Sequence, residues 1–151
     1  MTAARVLTET VTIPVPGAAR PMAGYLARPD TLEPGAGVLV GMELFGLSAH
    51  VRDVCKRLAR LGYLALAPDL HHRSDPGVEL PENADGRARG FELLHRLNRQ
   101  QALADVEAAR TWLQARGNTV TGMVGLSVGG HVAYLAATEL DLPAVAVAYG
   151  G

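Results

Sequence analysis

Cysteine is almost missing from this sequence: Cys55 stands alone among 151 residues. That excludes a disulfide scaffold and fits a reducing compartment. A charge excess of either sign is missing too. Fourteen Lys plus Arg face 15 Asp plus Glu, a formal net charge of −1, which leaves no electrostatic case for a nucleic-acid or anionic-membrane partner. No apolar run approaches the roughly 18 or more residues that a membrane span needs. The longest runs cover residues 37–42, 63–68 and 143–149, a length suited to buried strands. The N-terminus carries Arg5 but no apolar stretch of the kind a secretory leader has, so the expected location is cytoplasmic. The composition also lacks the signature of disorder, with 48% hydrophobic and 19% charged residues and a mean hydropathy of +0.12. Residues 1–151 are expected to form one domain with a core of its own.

What is present is an ordered alternation. Residues 5–13 place Leu7, Val11 and Ile13 on one face and Thr8, Thr10 and Thr12 on the other, a strand pattern. Residues 14–19 read as a turn and 22–28 as a second strand, so the pair predicts an antiparallel hairpin at a sheet edge. After a Pro/Gly loop over 29–37, residues 38–42 are continuously apolar, as in a strand covered on both faces. Ser48 is a plausible N-cap for a helix from 49 to about 61 that Gly62 ends. A buried strand comes next at 63–68, and the polar, Pro/Gly-rich stretch 71–88 reads as a long loop. A helical pattern runs from 89 to 116, with room for a break, with Phe91, Leu94, Leu97, Leu103, Val106, Ala109 and Leu113 facing inward and Gly117 and Asn118 as its stop. Strand 119–125, helix 128–140 and strand 144–149 complete the chain. Apolar strands alternating with amphipathic helices predict an α/β fold with a mostly parallel sheet.

Between the predicted strand and helix near residue 127 lies Gly125-Leu126-Ser127-Val128-Gly129-Gly130. This G-x-S-x-G run is the pattern of a nucleophile elbow, in which serine occupies a sharp turn and small neighbours admit close backbone approach. The following helix aims its N-terminus at the site, which favours developing negative charge, and the Val128 N–H is one candidate oxyanion donor. An ordinary glycine-rich or phosphate-binding turn is the rival reading. A dinucleotide site is disfavoured, because G-x-G-x-x-G spacing is absent, and no cofactor is expected.

The loop after the third strand reads Gly41-Met42-Glu43-Leu44-Phe45-Gly46, then Val51-Arg52-Asp53 in the helix beyond it. Together with Gly62-Tyr63 leading into Ala67-Pro68-Asp69-Leu70, the Ala104-Asp105-Val106-Glu107-Ala108 segment, the elbow and Tyr149-Gly150, it resembles the dienelactone hydrolase (carboxymethylenebutenolidase) family of α/β-hydrolases. The likeness runs in order over nearly the whole chain. It implies an α/β-hydrolase fold with an N-terminal antiparallel hairpin and Ser127 as nucleophile. The Leu44 and Val128 backbone N–H groups would form the oxyanion hole, and Glu43 would be a carboxylate near the nucleophile. Arg87, with Arg89 as an alternative, would hold a substrate carboxylate, and the substrate would be a small ester or lactone. The best-known members carry Cys in the elbow; Ser127 makes a broader esterase equally plausible, since a serine leans more heavily on a general base. Cys55, at a helical apolar position, is expected to be packing only.

In this fold the triad runs Ser, acid, His. His131, Glu139 and Asp141 come after Ser127, but His131 lies inside the elbow helix and Asp141 in a turn. His50, His71, His72 and His95 all precede the serine. A different-order triad through His71 or His72 is a lesser alternative, and adjacent histidines on an extended segment point apart, so no metal is expected. The family's acid and histidine correspond to positions beyond Gly151, so the chain reads as the N-terminal part of a hydrolase lacking the C-terminal βα units. Its last strand would then offer an open apolar edge for association. A non-catalytic remnant, a split hydrolase that needs a partner, and a thioesterase or peptidase on the same fold are the rival functions.

Overall fold

The computed structural model describes residues 5–31, 33, 35–116 and 120–150. The expected stop at Gly117 and Asn118, and the first residue of the strand expected from 119, lie outside the described residues. The elements in order are β1 (Val6–Ile13), β2 (Met22–Pro29), β3 (Gly37–Gly41), α1 (Ala49–Arg60), β4 (Leu64–Pro68), α2 (Ala84–His95), α3 (Arg99–Gln114), β5 (Thr121–Leu126), α4 (Val128–Glu139) and β6 (Val145–Ala148).

The strands form one sheet in the order β1-β2-β4-β3-β5-β6. β1 and β2 make the expected hairpin, in register from Val6 opposite Pro29 to Ile13 opposite Met22. β2 joins β4 antiparallel, and β4, β3, β5 and β6 pair in parallel. After β3 the chain moves outward to β4, then crosses back over β3 to β5. Right-handed crossovers in opposite directions put α1 on one face of the sheet and α3 with α4 on the other. The helices that follow the neighbouring strands β3 and β5 therefore lie on opposite faces, and open α/β sheets form their ligand crevices at such a reversal. The strands β3 and β4 fill the centre because they are apolar on both faces; Leu39, Val40, Leu66 and Ala67 have no exposure.

α1 starts where its cap predicts. Ser48 accepts from the Val51 N–H at 3.4 Å, and Val51, Cys55 and Ala59 turn inward at successive fourth positions. Burial pushes the Cys55 thiol up to about 12. The native chain should therefore leave 4,4′-dithiodipyridine unreacted at pH 8 and consume one equivalent only after denaturation; rapid native reaction would show that Cys55 is reachable.

Three expectations need correction. α2 begins at Ala84, inside the stretch 71–88 read as loop. Asn83 caps it by accepting from the Gly86 N–H at 2.8 Å, and Asp85 sits in the first turn, where a carboxylate favours the helix dipole. The glycines that made the segment look irregular are contact points. A Cβ on Gly90 would come within 2.5 Å of Leu44 Cγ, so α2 lies tightly on the loop after β3. Its inward residues are accordingly Gly86, Gly90 and Leu93, while Phe91, expected inside, is 48% exposed. The allowed break in the helical pattern is real: Asn98 caps α3 through the Gln101 N–H at 3.1 Å. Finally, β6 was expected to be a buried strand, but at the sheet edge its four residues are half-buried or exposed.

Candidate active site

Ser127 joins β5 to α4 with φ 53° and ψ −116°. A side chain is strained in this region, and a residue holds such a conformation only when its surroundings over-determine it. Here they do. The Ser127 N–H donates to the Ala148 carbonyl at 3.0 Å, the Gly130 N–H donates to the Ser127 carbonyl at 2.7 Å, and the Gly129 N–H donates to the Met42 carbonyl at 2.8 Å. The first of these bonds ties the elbow to β6, and the last ties the start of α4 to the loop after β3. The approach requires glycine. A Cβ on Gly129 would lie 2.6 Å from the Met42 carbonyl oxygen and closer still to the Gly41 carbonyl. A Cβ on Gly41 would lie 2.8 Å from the Gly129 carbonyl oxygen.

Because Gly41 pairs with Gly125, the residues next after β3 and β5 leave the sheet side by side. Glu43 and Leu44 thus stand at the same end as Ser127 and Val128. Leu44 is buried. Gly46, at φ 85°, turns the loop back so that its N–H donates to the Glu43 carbonyl at 3.2 Å. The Val128 N–H belongs to the first turn of α4, where no intrahelical acceptor is available, and it points with the helix dipole toward the elbow.

Two sets of contacts near the loop had no sign in the sequence, although it named His71 as an alternative triad histidine and Glu43 as the carboxylate. His71 is buried, with Nε2 3.2 Å from the Leu44 carbonyl oxygen. Burial outweighs the favourable Leu44 bond and the nearby Asp69 and Asp75 charges, and it lowers the His71 pKa below the ordinary histidine value. The ring is therefore neutral at pH 7, and facing a carbonyl it carries its proton on Nε2 and donates to Leu44. Its Nδ1 has no partner among the described residues. The His71 N–H in turn donates to Asp69 Oδ1 at 3.1 Å, and the Gly77 N–H donates to Asp69 Oδ2 at 2.8 Å. Burial nevertheless raises the Asp69 pKa.

The second set closes over Glu43, whose side chain is 16% exposed. His50, in the first turn of α1, brings Nε2 to 3.9 Å from Glu43 Oε1. The Tyr149 hydroxyl lies 3.5 Å from the same His50 nitrogen, with the Glu43 carboxylate close enough to act on it. Partial burial first, then the Glu43 charge, raises the Tyr149 pKa. Tyr149 has φ 39°, so the backbone just past β6 is also strained as it presents this side chain. No spacing in the sequence announces the cluster, because the loop after β3, α1 and the end of β6 meet only in the fold.

The two arginines singled out by the sequence differ in their surroundings. Arg87 is exposed on α2 and makes no ion pair with a described residue, whereas Arg89 is engaged by Asp75 at 3.1 Å and Glu92 at 2.9 Å. Arg87 is thus the one whose guanidinium no described carboxylate engages. His131 points outward from α4 and is exposed. Among the described residues no group of three or more His, Cys, Asp or Glu could hold a metal, and no helix is long and apolar enough to cross a membrane.

Known proteins resemble this chain in sequence and in fold. A Synechocystis sp. protein named "Putative carboxymethylenebutenolidase" is 33% identical over 145 residues, covering 94% of this chain and 59% of its own length. The Pseudomonas putida carboxymethylenebutenolidase is 30% identical over 119 residues, covering 77% of this chain and 50% of its own. A Klebsiella pneumoniae crystal structure named "Putative Dienelactone Hydrolase" superposes with a TM-score of 0.85 at 31% identity, over 96% of this chain and 60% of that one. The chain thus spans between half and three-fifths of the length of these relatives. The dienelactone hydrolase family model matches residues 22–151, and with the strained serine turn between β5 and α4 and the sheet order on which it stands, the chain belongs to the dienelactone hydrolase family and has an α/β-hydrolase fold.

Proposed function

We propose that this chain carries the nucleophile and oxyanion site of a hydrolase that cleaves a small carboxylic ester or lactone through an acyl-enzyme on Ser127. The observation that carries the reading is the Ser127 backbone at φ 53° and ψ −116°, a strained conformation held at the junction of β5 and the α4 N-terminus. Ser127 Oγ would attack the substrate carbonyl. The carbonyl oxygen would become an oxyanion accepting hydrogen bonds from the Leu44 and Val128 N–H groups, which in a preorganised site is the largest single contribution expected. His71 would hold the Leu44 peptide in position, and Glu43 would present its carboxylate beside the nucleophile. Arg87 suits a carboxylate on the substrate, since a guanidinium offers two parallel donors to it. Family membership and the relatives' names support the ester or lactone class.

The test is to treat the protein with a fluorophosphonate probe and map the adduct by mass spectrometry. An adduct on Ser127 is the expected result in a preparation that turns over ester; labelling at another residue there, or turnover with no adduct on Ser127, overturns the assignment. A second reading has its own support in the exposed edge residues Val147, at 47%, and Tyr149, at 61%. In that reading the chain is a subunit whose acid and base come from a partner docked along β6. Native mass spectrometry beside ester turnover separates the two, because a monomer that turns over ester sinks the second reading.

A further inference from the structure

We propose that the recess between the β1–β2 turn and the start of α3 is a binding site for a small oxyanion, a phosphate or carboxylate group. The cavity holds about 160 Å³ and is lined by Ala18, Ala19, Arg20, His72, Arg73 and Gln101. That volume is several times the roughly 30 Å³ that a water molecule occupies in the liquid, room for a tetrahedral oxyanion with part of its hydration.

The lining is rich in donors and poor in acceptors. One carboxylate stands behind it: Asp105, on α3, has a side chain only 2% exposed. Its Oδ1 accepts from Arg73 Nη2 at 2.9 Å. The same oxygen lies 3.0 Å from His72 Nε2, but the ring is turned so that this nitrogen makes no hydrogen bond with a described residue. The His72 side chain is 4% exposed, so this nitrogen lies against the Asp105 carboxylate and away from bulk water. Arg73 Nε is likewise buried without a partner among the described residues. At the rim, Arg20 makes no ion pair with a described residue, and Gln101 adds an amide. Two guanidinium groups against one carboxylate leave a net positive charge at the recess. Buried polar groups are ordinarily paired, and an oxyanion seated here would answer the unpaired Arg73 Nε donor and the free fork of Arg20 together.

This recess is separate from the serine site. The Asp69 N–H donates to the Ala23 carbonyl at 2.9 Å, which fixes the recess at the carboxyl end of β4 beside the hairpin. It is thus at the same end of the sheet as Ser127 but at least two strand spacings away, roughly 10 Å. The proposal does not rest on the hydrolase reading, and its test contains no ester.

Inorganic phosphate is titrated into the protein by calorimetry at constant ionic strength set with sodium chloride, with acetate in a parallel arm and the His72 ring resonances followed by NMR. The expected result is saturable one-site binding of at least one of the two anions, with shifted His72 resonances. The stronger arm identifies the phosphoryl or carboxylate source. Arg20→Ala should weaken binding about tenfold, the loss of one charge-assisted contact; Arg20→Lys should retain most of it, and the exposed Arg57→Ala should change nothing. Arg20 is a rim residue, so its removal leaves the Arg73–Asp105 pair and the fold in place. Non-saturating heats for both anions, or equal affinity in Arg20→Ala, would overturn the proposal in favour of diffuse surface charge.

Discussion

Replacing Ser127 with glycine should yield a protein that is inert and also more stable. With the hydroxyl gone no acyl-enzyme forms, and ester turnover carried by this site should fall roughly 10⁶-fold, the scale of loss seen when a serine nucleophile is removed elsewhere. The gain in stability has a different origin. At φ 53° and ψ −116° a Cβ crowds its own backbone, a strain of about 1–3 kcal/mol for a non-glycine residue. Glycine relieves it but adds backbone freedom to the unfolded chain, worth about 0.5–1 kcal/mol. The net expectation is about 1 kcal/mol in favour of Ser127→Gly over Ser127→Ala. Alanine is the informative control, since it removes the same oxygen and keeps the strain. Urea unfolding of the two variants, paired with a fluorophosphonate labelling assay, reads both effects. Equal stabilities would mean that the elbow stores no strain, and retained labelling in either variant would remove Ser127 from the mechanism.

The second large effect is expected at Gly129, where a single methyl group should cost about 3–4 kcal/mol of stability. Helix propensity alone points the other way, because alanine in place of glycine inside a helix gains about 1 kcal/mol. The neighbours decide the sign. The added Cβ would fall 2.6 Å from the Met42 carbonyl oxygen and nearer still to the Gly41 carbonyl, and these are backbone atoms of β3 and the loop beyond it. Relief requires α4 to move off β3, which lengthens the Gly129 N–H bond to Met42, now 2.8 Å, and shifts Val128 relative to Leu44. Gly130→Ala provides the contrast. Its Cβ would meet Val147 Cγ1 at 3.0 Å and the Gly150 Cα at 3.1 Å, both on the exposed sheet edge, where movement costs less. The urea midpoint should therefore fall much further for Gly129→Ala than for Gly130→Ala at an unchanged m-value. A Gly129→Ala midpoint within error of the parent would show that the α4–β3 approach is looser than this geometry requires.

Features set by neighbours along the chain were legible in the sequence. The hairpin, the central apolar strands, the Ser48 cap and the strand–turn–helix frame around Ser127 each depend on residues a few positions apart. Alternation, capping oxygens and glycine spacing express such features directly. The stretch 71–88 was less legible because its glycines have two opposite meanings. Read locally, Gly86 and Gly90 break a helix; in the fold they let α2 lie against the Pro81 carbonyl and Leu44. Phe91 failed for the same reason, since the helix packs on its small residues and leaves the ring outside. A hydrophobic pattern cannot signal packing made through glycine.

The candidate site divides along the same line. The sequence singled out Ser127 and Val128 by the elbow pattern, and the family resemblance added Glu43 and Leu44; the fold brings these residues to one end of the sheet because β3 and β5 are neighbours. The sequence carried no sign that His71 would reach the Leu44 carbonyl, or that His50 and Tyr149, 99 positions apart, would meet over Glu43. Those contacts arise from strand order: β3 stands between β4 and β5, so the loops leaving these strands converge at one end of the sheet. Burial there lowers the His71 pKa and raises that of Tyr149. Charge state depends on the solvent and dipoles surrounding a group, and only the folded sheet brings these surroundings together.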